Sequence, residues 1–146
     1  MVEPAKMILR IEDDSDHELL TIRALRKANI ANEIAIARDG EEALDLLFGN
    51  GEGALKTCPQ VVLLDLKLPK IDGLEVLRRI RENERTRMLP VVILTSSDEE
   101  SDIIRSYRLG VNSYIRKPVN FTEFAEATRQ LGMYWLVLNE CPPSNN

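Results

Sequence analysis

Histidine occurs once in this chain, at position 17, and cysteine twice, at positions 58 and 141. One imidazole can build neither a metal site nor a proton relay, so His17 reads as an exposed polar residue early in a helix. The two thiols lack the spacing of metal ligands and read as unrelated free cysteines in a reducing compartment. No apolar run approaches the roughly 18 residues of a membrane span, and Met1-Val2-Glu3-Pro4 is unlike a secretory leader. Dense Lys/Arg runs are missing and the formal net charge is −5, which argues against direct binding of nucleic acid. No internal repeat or linker is visible. The expectation is one cytoplasmic domain over 1–146, with a core at about 6–138 and a frayed tail at 139–146.

What is present is order. Four short apolar runs stand out: Met7-Ile8-Leu9, Ile34-Ala35-Ile36-Ala37, Val61-Val62-Leu63-Leu64 and Val91-Val92-Ile93-Leu94. They are continuous rather than alternating, the mark of strands buried on both faces in a parallel sheet. Ser113-Tyr114-Ile115 is a weaker fifth strand. Arg10 interrupts the first run, and the expectation is that it snorkels its charge outward. Between the runs lie helical faces: Ala43/Leu46/Leu47, Val76/Leu77/Ile80 and Phe121/Phe124/Ala125/Thr128. Five pairs place an N-cap residue three before a glutamate: Ser15/Glu18, Asp39/Glu42, Asp72/Glu75, Ser97/Glu100 and Asn120/Glu123. The Arg78-Arg79-Ile80-Arg81 run, with Arg85 and Arg87, reads as the solvated face of the third helix. Gly49–Gly53 reads as a flexible connection.

This alternation is that of an α/β protein, a (βα)5 doubly wound parallel sheet in a three-layer sandwich. Right-handed crossovers put helices on both faces, with the flavodoxin-like strand order 2-1-3-4-5. All strand C-terminal ends then share one edge, where ligands bind. Strand one ends in Glu12-Asp13-Asp14 and strand three in Asp65. Carboxylates so gathered repel one another unless a cation sits among them, and all-oxygen donors favour a hard ion such as Mg²⁺. Strand four ends in Thr95-Ser96-Ser97 and strand five is followed by Lys117-Pro118. A carboxylate nucleophile, a metal, a hydroxyl and a lone ammonium together make a phosphoryl site.

With these residues in view, the chain resembles the receiver domains of two-component response regulators. The matching segments are Ile8-Leu9-Arg10-Ile11-Glu12-Asp13-Asp14, Leu64-Asp65-Leu66-Lys67-Leu68-Pro69 with Asp72-Gly73, Leu94-Thr95-Ser96, and Ser113-Tyr114-Ile115-Arg116-Lys117-Pro118. Gly110–Val119 and the ending Trp135–Glu140 look like the stand-alone regulators that partner phytochrome-type histidine kinases. The resemblance implies that Asp65 accepts a phosphoryl group from phosphohistidine. It implies that Asp13 binds Mg²⁺ directly, that Glu12 helps through water, and that Asp65 and the Lys67 carbonyl are further ligands. Thr95, Lys117 and the Ser96 N–H would hold phosphate oxygens, and Tyr114 would be the switch aromatic that moves with Thr95. The Lys117–Pro118 bond resembles one that is cis in the family.

On this reading the protein is a phosphoacceptor signalling protein rather than a conventional enzyme. Its only turnover is Mg²⁺-dependent self-phosphorylation and slow self-dephosphorylation. Its partner would be a sensor histidine kinase, a bacteriophytochrome among the candidates, and its switching face would be the fourth helix, fifth strand and fifth helix. The apolar stretch Met133–Leu138, centred on Trp135, suggests a homodimer through that face. Two other functions compete: a phosphorylation-independent dimerisation scaffold, and a phosphohydrolase with an Asp nucleophile. The latter class usually carries a second Asp two residues after the nucleophile, where this chain has Lys67.

Overall fold

The computed structural model describes residues 7–28, 33–49, 54–55, 58–118 and 120–142. Five strands alternate with five helices: β1 (Met7–Ile11), α1 (Ser15–Lys27), β2 (Glu33–Ala37), α2 (Gly40–Phe48), β3 (Val61–Leu64), α3 (Gly73–Glu82), β4 (Val91–Thr95), α4 (Glu100–Arg108), β5 (Ser113–Arg116) and α5 (Phe121–Gly132). A π-helical segment, Met133–Leu138, continues α5. Every strand pairing is parallel and the sheet order is β2-β1-β3-β4-β5, as the alternation predicts.

The continuous apolar runs follow from burial. Every residue of β1, β3 and β4 is buried, because helices cover both faces of the sheet. Side chains alternate between the two cores. Leu9, Ile11, Val62, Leu64 and Ile93 pack with Ala43 and Leu47 of α2 and with Val76, Leu77 and Ile80 of α3. Ile8, Leu63, Val92 and Leu94 pack with Leu25, Phe124, Leu131, Trp135 and Leu136 on the other face. The edge strands β2 and β5 are only partly buried, which is why the fifth run is weak in the sequence.

Register sets the site. Ile11 of β1 stands opposite both Ala37 of β2 and Leu64 of β3, so Glu12 and Asp65 leave the sheet side by side. The Asp65 N–H donates to the Ile11 carbonyl at 3.1 Å and the Lys117 N–H to the Thr95 carbonyl at 2.7 Å. These backbone bonds tie Asp65 to the end of β1 and Lys117 to the end of β4, at one rim.

Three of the five expected caps form. The Asp39, Asp72 and Asn120 side chains accept from the N–H groups of Glu42, Glu75 and Glu123. The other two differ. Asp14, not Ser15, caps α1 by accepting from Asp16 and His17. Helix α4 begins after Glu99 with no side-chain cap, because the Ser97 hydroxyl donates instead to Asp102 at 2.7 Å.

Other expectations are corrected in detail. Phe121 is exposed, since the α5 stripe that reaches the core starts one turn later at Phe124. Arg81 is no part of a solvated face. Its guanidinium binds the carbonyls of Gly110, Arg87 and Leu89 and the Asn112 side chain, all at 2.8–3.1 Å, clamping α3 to the loop before β4 and to the α4–β5 turn. Trp135 and Leu136 fold onto their own core, leaving Tyr134, Val137 and Leu138 exposed. Cys58 and Cys141 are not joined in a disulfide. Cys141 lies in the expected frayed tail, yet its sulfur accepts from the Gln60 amide at 3.0 Å. The 50–53 part of the expected flexible connection and residues 143–146 lie outside the described residues. Among the described residues, no helix is long and apolar enough to cross a membrane.

Candidate functional site

Asp65 sits at the end of β3, buried, where the approach of α3 pins its backbone. A Cβ on Gly73 would collide with the Asp65 carbonyl oxygen, so only glycine lets the α3 N-terminus come this close. The Asp65 carboxylate is held on both oxygens. Oδ1 accepts from the Thr95 hydroxyl at 2.9 Å and from the Lys67 N–H at 3.3 Å, and Oδ2 accepts from the Lys117 ammonium at 2.8 Å. Thr95 is fully buried, whereas Ser96 next to it is exposed.

Lys117 has three N–H donors and three polar neighbours. Besides Asp65 it donates to Glu12 Oε1 at 2.7 Å and lies 3.0 Å from His17 Nδ1. His17 titrates below its ordinary value, chiefly through burial and then through the Lys117 charge. Its Nδ1 lies equally close, 3.0 Å, to Glu12 Oε1. The ring stacks on Phe124 of α5, with ring centroids 5.3 Å apart. The expectation of an exposed, uninvolved His17 is overturned. The missed signal was position: the first turn of α1 lies directly over the end of β1.

Arg10 is the second correction. It does not snorkel but is fully buried, with Nη1 donating to the Leu63 and Ile11 carbonyls at 3.1 and 3.2 Å. Its Nη2 lies 3.3 Å from Glu12 Oε2. Glu12 follows directly on the strand that carries Arg10, two positions on, where extended backbone keeps both on one face, and an opposite charge at that spacing could have been read as a pair. The Lys117–Pro118 peptide is trans, as are all peptides among the described residues. For an X–Pro bond the trans form is the favoured isomer by about 0.5–1 kcal/mol, and Lys117 reaches the carboxylates from it.

The electrostatics divide the two buried acids. Burial pushes the Glu12 carboxyl up to about 7, and its hydrogen bond to Asp65 adds to this against the pull of Arg10 and Lys117. Burial also opposes ionisation of Asp65. Hydrogen bonds from Glu12 and Lys117, the Lys117 charge and the Thr95 hydroxyl outweigh it and bring Asp65 down to about 2. Asp65 is thus an ionised, desolvated carboxylate, the form a nucleophile needs.

Glu12, Asp13 and exposed Asp13's neighbour across the rim, Asp65, each offer a carboxylate oxygen, all within 4.8 Å of one another. The donors are all hard carboxylate oxygens, and Glu12 keeps one oxygen, Oε2, buried with no hydrogen-bond partner. This set fits a hard divalent cation. Tyr114, half-buried on β5, donates its hydroxyl to the Ser97 carbonyl at 2.9 Å.

A (βα)5 sheet of this order, with a buried Asp flanked by an acidic pair, a threonine and a lysine at one rim, is the arrangement of a receiver-type signalling domain. Residues 8–129 match the response regulator receiver domain, and the chain belongs to that family. It is 42% identical to the probable methanogenesis regulatory protein FilR2 of Methanothrix harundinacea, over 93% of this chain and 87% of that protein. It is 39% identical to the response regulator Rcp1 of Synechocystis, over 91% and 90% of the two chains. The Mn²⁺-bound structure of Rcp1 superposes with a TM-score of 0.88 at 38% identity, covering 94% of this chain and 99% of that one. The phosphorylated cyanobacterial phytochrome response regulator RcpA gives a TM-score of 0.90 at 36% identity, covering 96% and 100%.

Proposed function

We propose that Asp65 accepts a phosphoryl group from the phosphohistidine of a sensor histidine kinase, and that the resulting aspartyl phosphate switches partner binding at the α4-β5-α5 face. The observation that carries this reading is the Asp65 carboxylate, ionised and held between the Thr95 hydroxyl and the Lys117 ammonium. An Asp65 oxygen forms the new O–P bond as the P–N bond of phosphohistidine breaks, and the electron pair returns to the imidazole nitrogen. Thr95, Lys117 and the Ser96 N–H stand ready for phosphoryl oxygens, so the chain supplies position and charge while the kinase supplies the high-energy group. Asp13, Asp65 and the Lys67 carbonyl would hold Mg²⁺, with Glu12 acting through water. When bound, the ion would supply charge neutralisation for the transferring group.

The likeness to phosphorylated RcpA supports a phytochrome-type kinase as partner, and the exposed Tyr134, Val137 and Leu138 support a homodimer built on the end of α5. The whole of 1–146 acts as one receiver unit in this reading.

Acetyl phosphate with Mg²⁺ should add one acid-stable, base-labile phosphoryl group, lost in Asp65→Asn. Equal labelling of Asp65→Asn would overturn the assignment. Steady turnover of a free phosphoester would favour a hydrolase instead, and self-association with no labelling at all would favour a scaffold.

A further inference from the structure

The acidic cluster contains a charge that its chemistry does not require. Above pH 7, where Glu12 is ionised, Glu12, Asp13 and Asp65 contribute three negative charges, and Lys117 answers one of them. Arg10 answers a second from beneath the sheet, fully buried on β1. With both cations counted, the rim carries −1 rather than −2 before phosphorylation. Arginine stays protonated at any ordinary pH, so this charge is permanent.

Arg10 is also oriented. Its Nη1 is fixed by the Leu63 carbonyl of β3 and by the Ile11 carbonyl. That leaves Nη2 facing Glu12 Oε2, which has no hydrogen-bond partner of its own. Glu12 Oε1 meanwhile takes the Lys117 ammonium and touches His17. Both oxygens of Glu12 are therefore turned toward basic groups on the inner side of the rim, while Asp13 is exposed.

We propose that Arg10 is a positioning residue that draws the Glu12 carboxylate inward and weakens the hold of the acidic cluster on a divalent cation before phosphorylation. The inference rests on the metal-assisted phosphoryl reading above. Its consequence is a coupling. Phosphorylation replaces the Asp65 charge with the larger negative charge of the acyl phosphate, restoring what Arg10 subtracts. Cation and phosphoryl group then favour each other's presence, and the resting chain leaves the cation loosely held.

The test is Mn²⁺ binding to the unphosphorylated full chain, followed by calorimetry. Arg10→Met removes the charge, and Arg10→Gln removes it while keeping a donor for the carbonyls. Each should bind Mn²⁺ about tenfold or more tightly than the parent, with Arg10→Lys staying near the parent. The double variant Arg10→Met/Glu12→Gln restores the −1 rim and should return to within about threefold of the parent. Circular dichroism and thermal melts identify which variants fold, and either neutral variant suffices. Parental Mn²⁺ affinity in a folded Arg10→Met or Arg10→Gln overturns the proposal. So does a tenfold loss in the double variant, which would make Glu12 a full ligand that Arg10 does not restrain. Asp13→Asn separates the levels: if it leaves Mn²⁺ binding unchanged, the metal reading itself fails.

Discussion

Thr95 and Tyr114 meet through one residue. The Thr95 hydroxyl that donates to Asp65 also lies 3.4 Å from the Ser97 N–H, and the carbonyl of the same Ser97 accepts the Tyr114 hydroxyl at 2.9 Å. A threonine drawn toward a phosphoryl oxygen would therefore pull on the segment to which the tyrosine is tied. Thr95→Ala should cut acetyl-phosphate labelling roughly 10- to 100-fold, since a donor to the developing charge is gone. Tyr114→Phe should leave labelling within about twofold. It should also abolish the change in the Ser97 amide resonance on phosphorylation, which two-dimensional NMR would record.

The two buried acids make opposite demands on pH. Glu12 is raised from an ordinary value of 4.5 to about 7, so between these values the folded chain holds a proton that the unfolded chain has lost. Metal-free stability should fall as pH rises through that window, by at most about 3 kcal/mol. Asp65 is depressed from 3.8 to about 2, and its contribution is present above pH 4 and lost as pH falls toward 2. Urea denaturation from pH 4.5 to 7.5 in chelator should show the first slope. Glu12→Gln should flatten it.

Gly73→Ala should be the most damaging single-methyl change near the site. Its Cβ cannot coexist with the Asp65 carbonyl, so either α3 or the end of β3 must shift. A cost of about 1–3 kcal/mol is expected, with labelling of Asp65 falling along with it. Denaturant melts and the acetyl-phosphate assay measure the two effects separately.

Trp135 and Val137 should separate stability from assembly. Trp135 is packed with Leu131 and Leu136, so Trp135→Ala should cost about 3–5 kcal/mol. Val137→Lys changes an exposed side chain and should leave the melt nearly unmoved while weakening self-association in sedimentation.

The sheet was legible because burial on both faces writes itself as uninterrupted apolar runs, and the rim because strand ends are where those runs stop. Asp65, Thr95 and Lys117 could be picked out on that ground alone. Periodicity could not say which side of the boundary a charged residue would fall on. Arg10 sits inside a strand, where its partners are a carbonyl of β3 and a carboxylate two residues on. Arg81 sits on a helix whose polar stripe looks solvated until the α4–β5 turn arrives beneath it. His17 depends on the same kind of tertiary meeting, here with Lys117, 100 positions away. The terminal stretch was read by composition as a patch, whereas the turn of the π-helical segment divides it, Trp135 and Leu136 inward and Val137 and Leu138 outward.

Helix α4 is anchored unlike its neighbours. It buries a single residue, Ser106, and starts without a side-chain cap, while Arg81 secures the turn that follows it at Gly110. In hydrogen-exchange terms α4 should open well before the sheet does, swinging from a fixed C-terminal pivot. A small restoring force suits an element that must respond to a shift of one hydroxyl at Thr95. In the proposed switch, the loose packing of α4 would set its gain, making a local displacement large enough for another protein to feel.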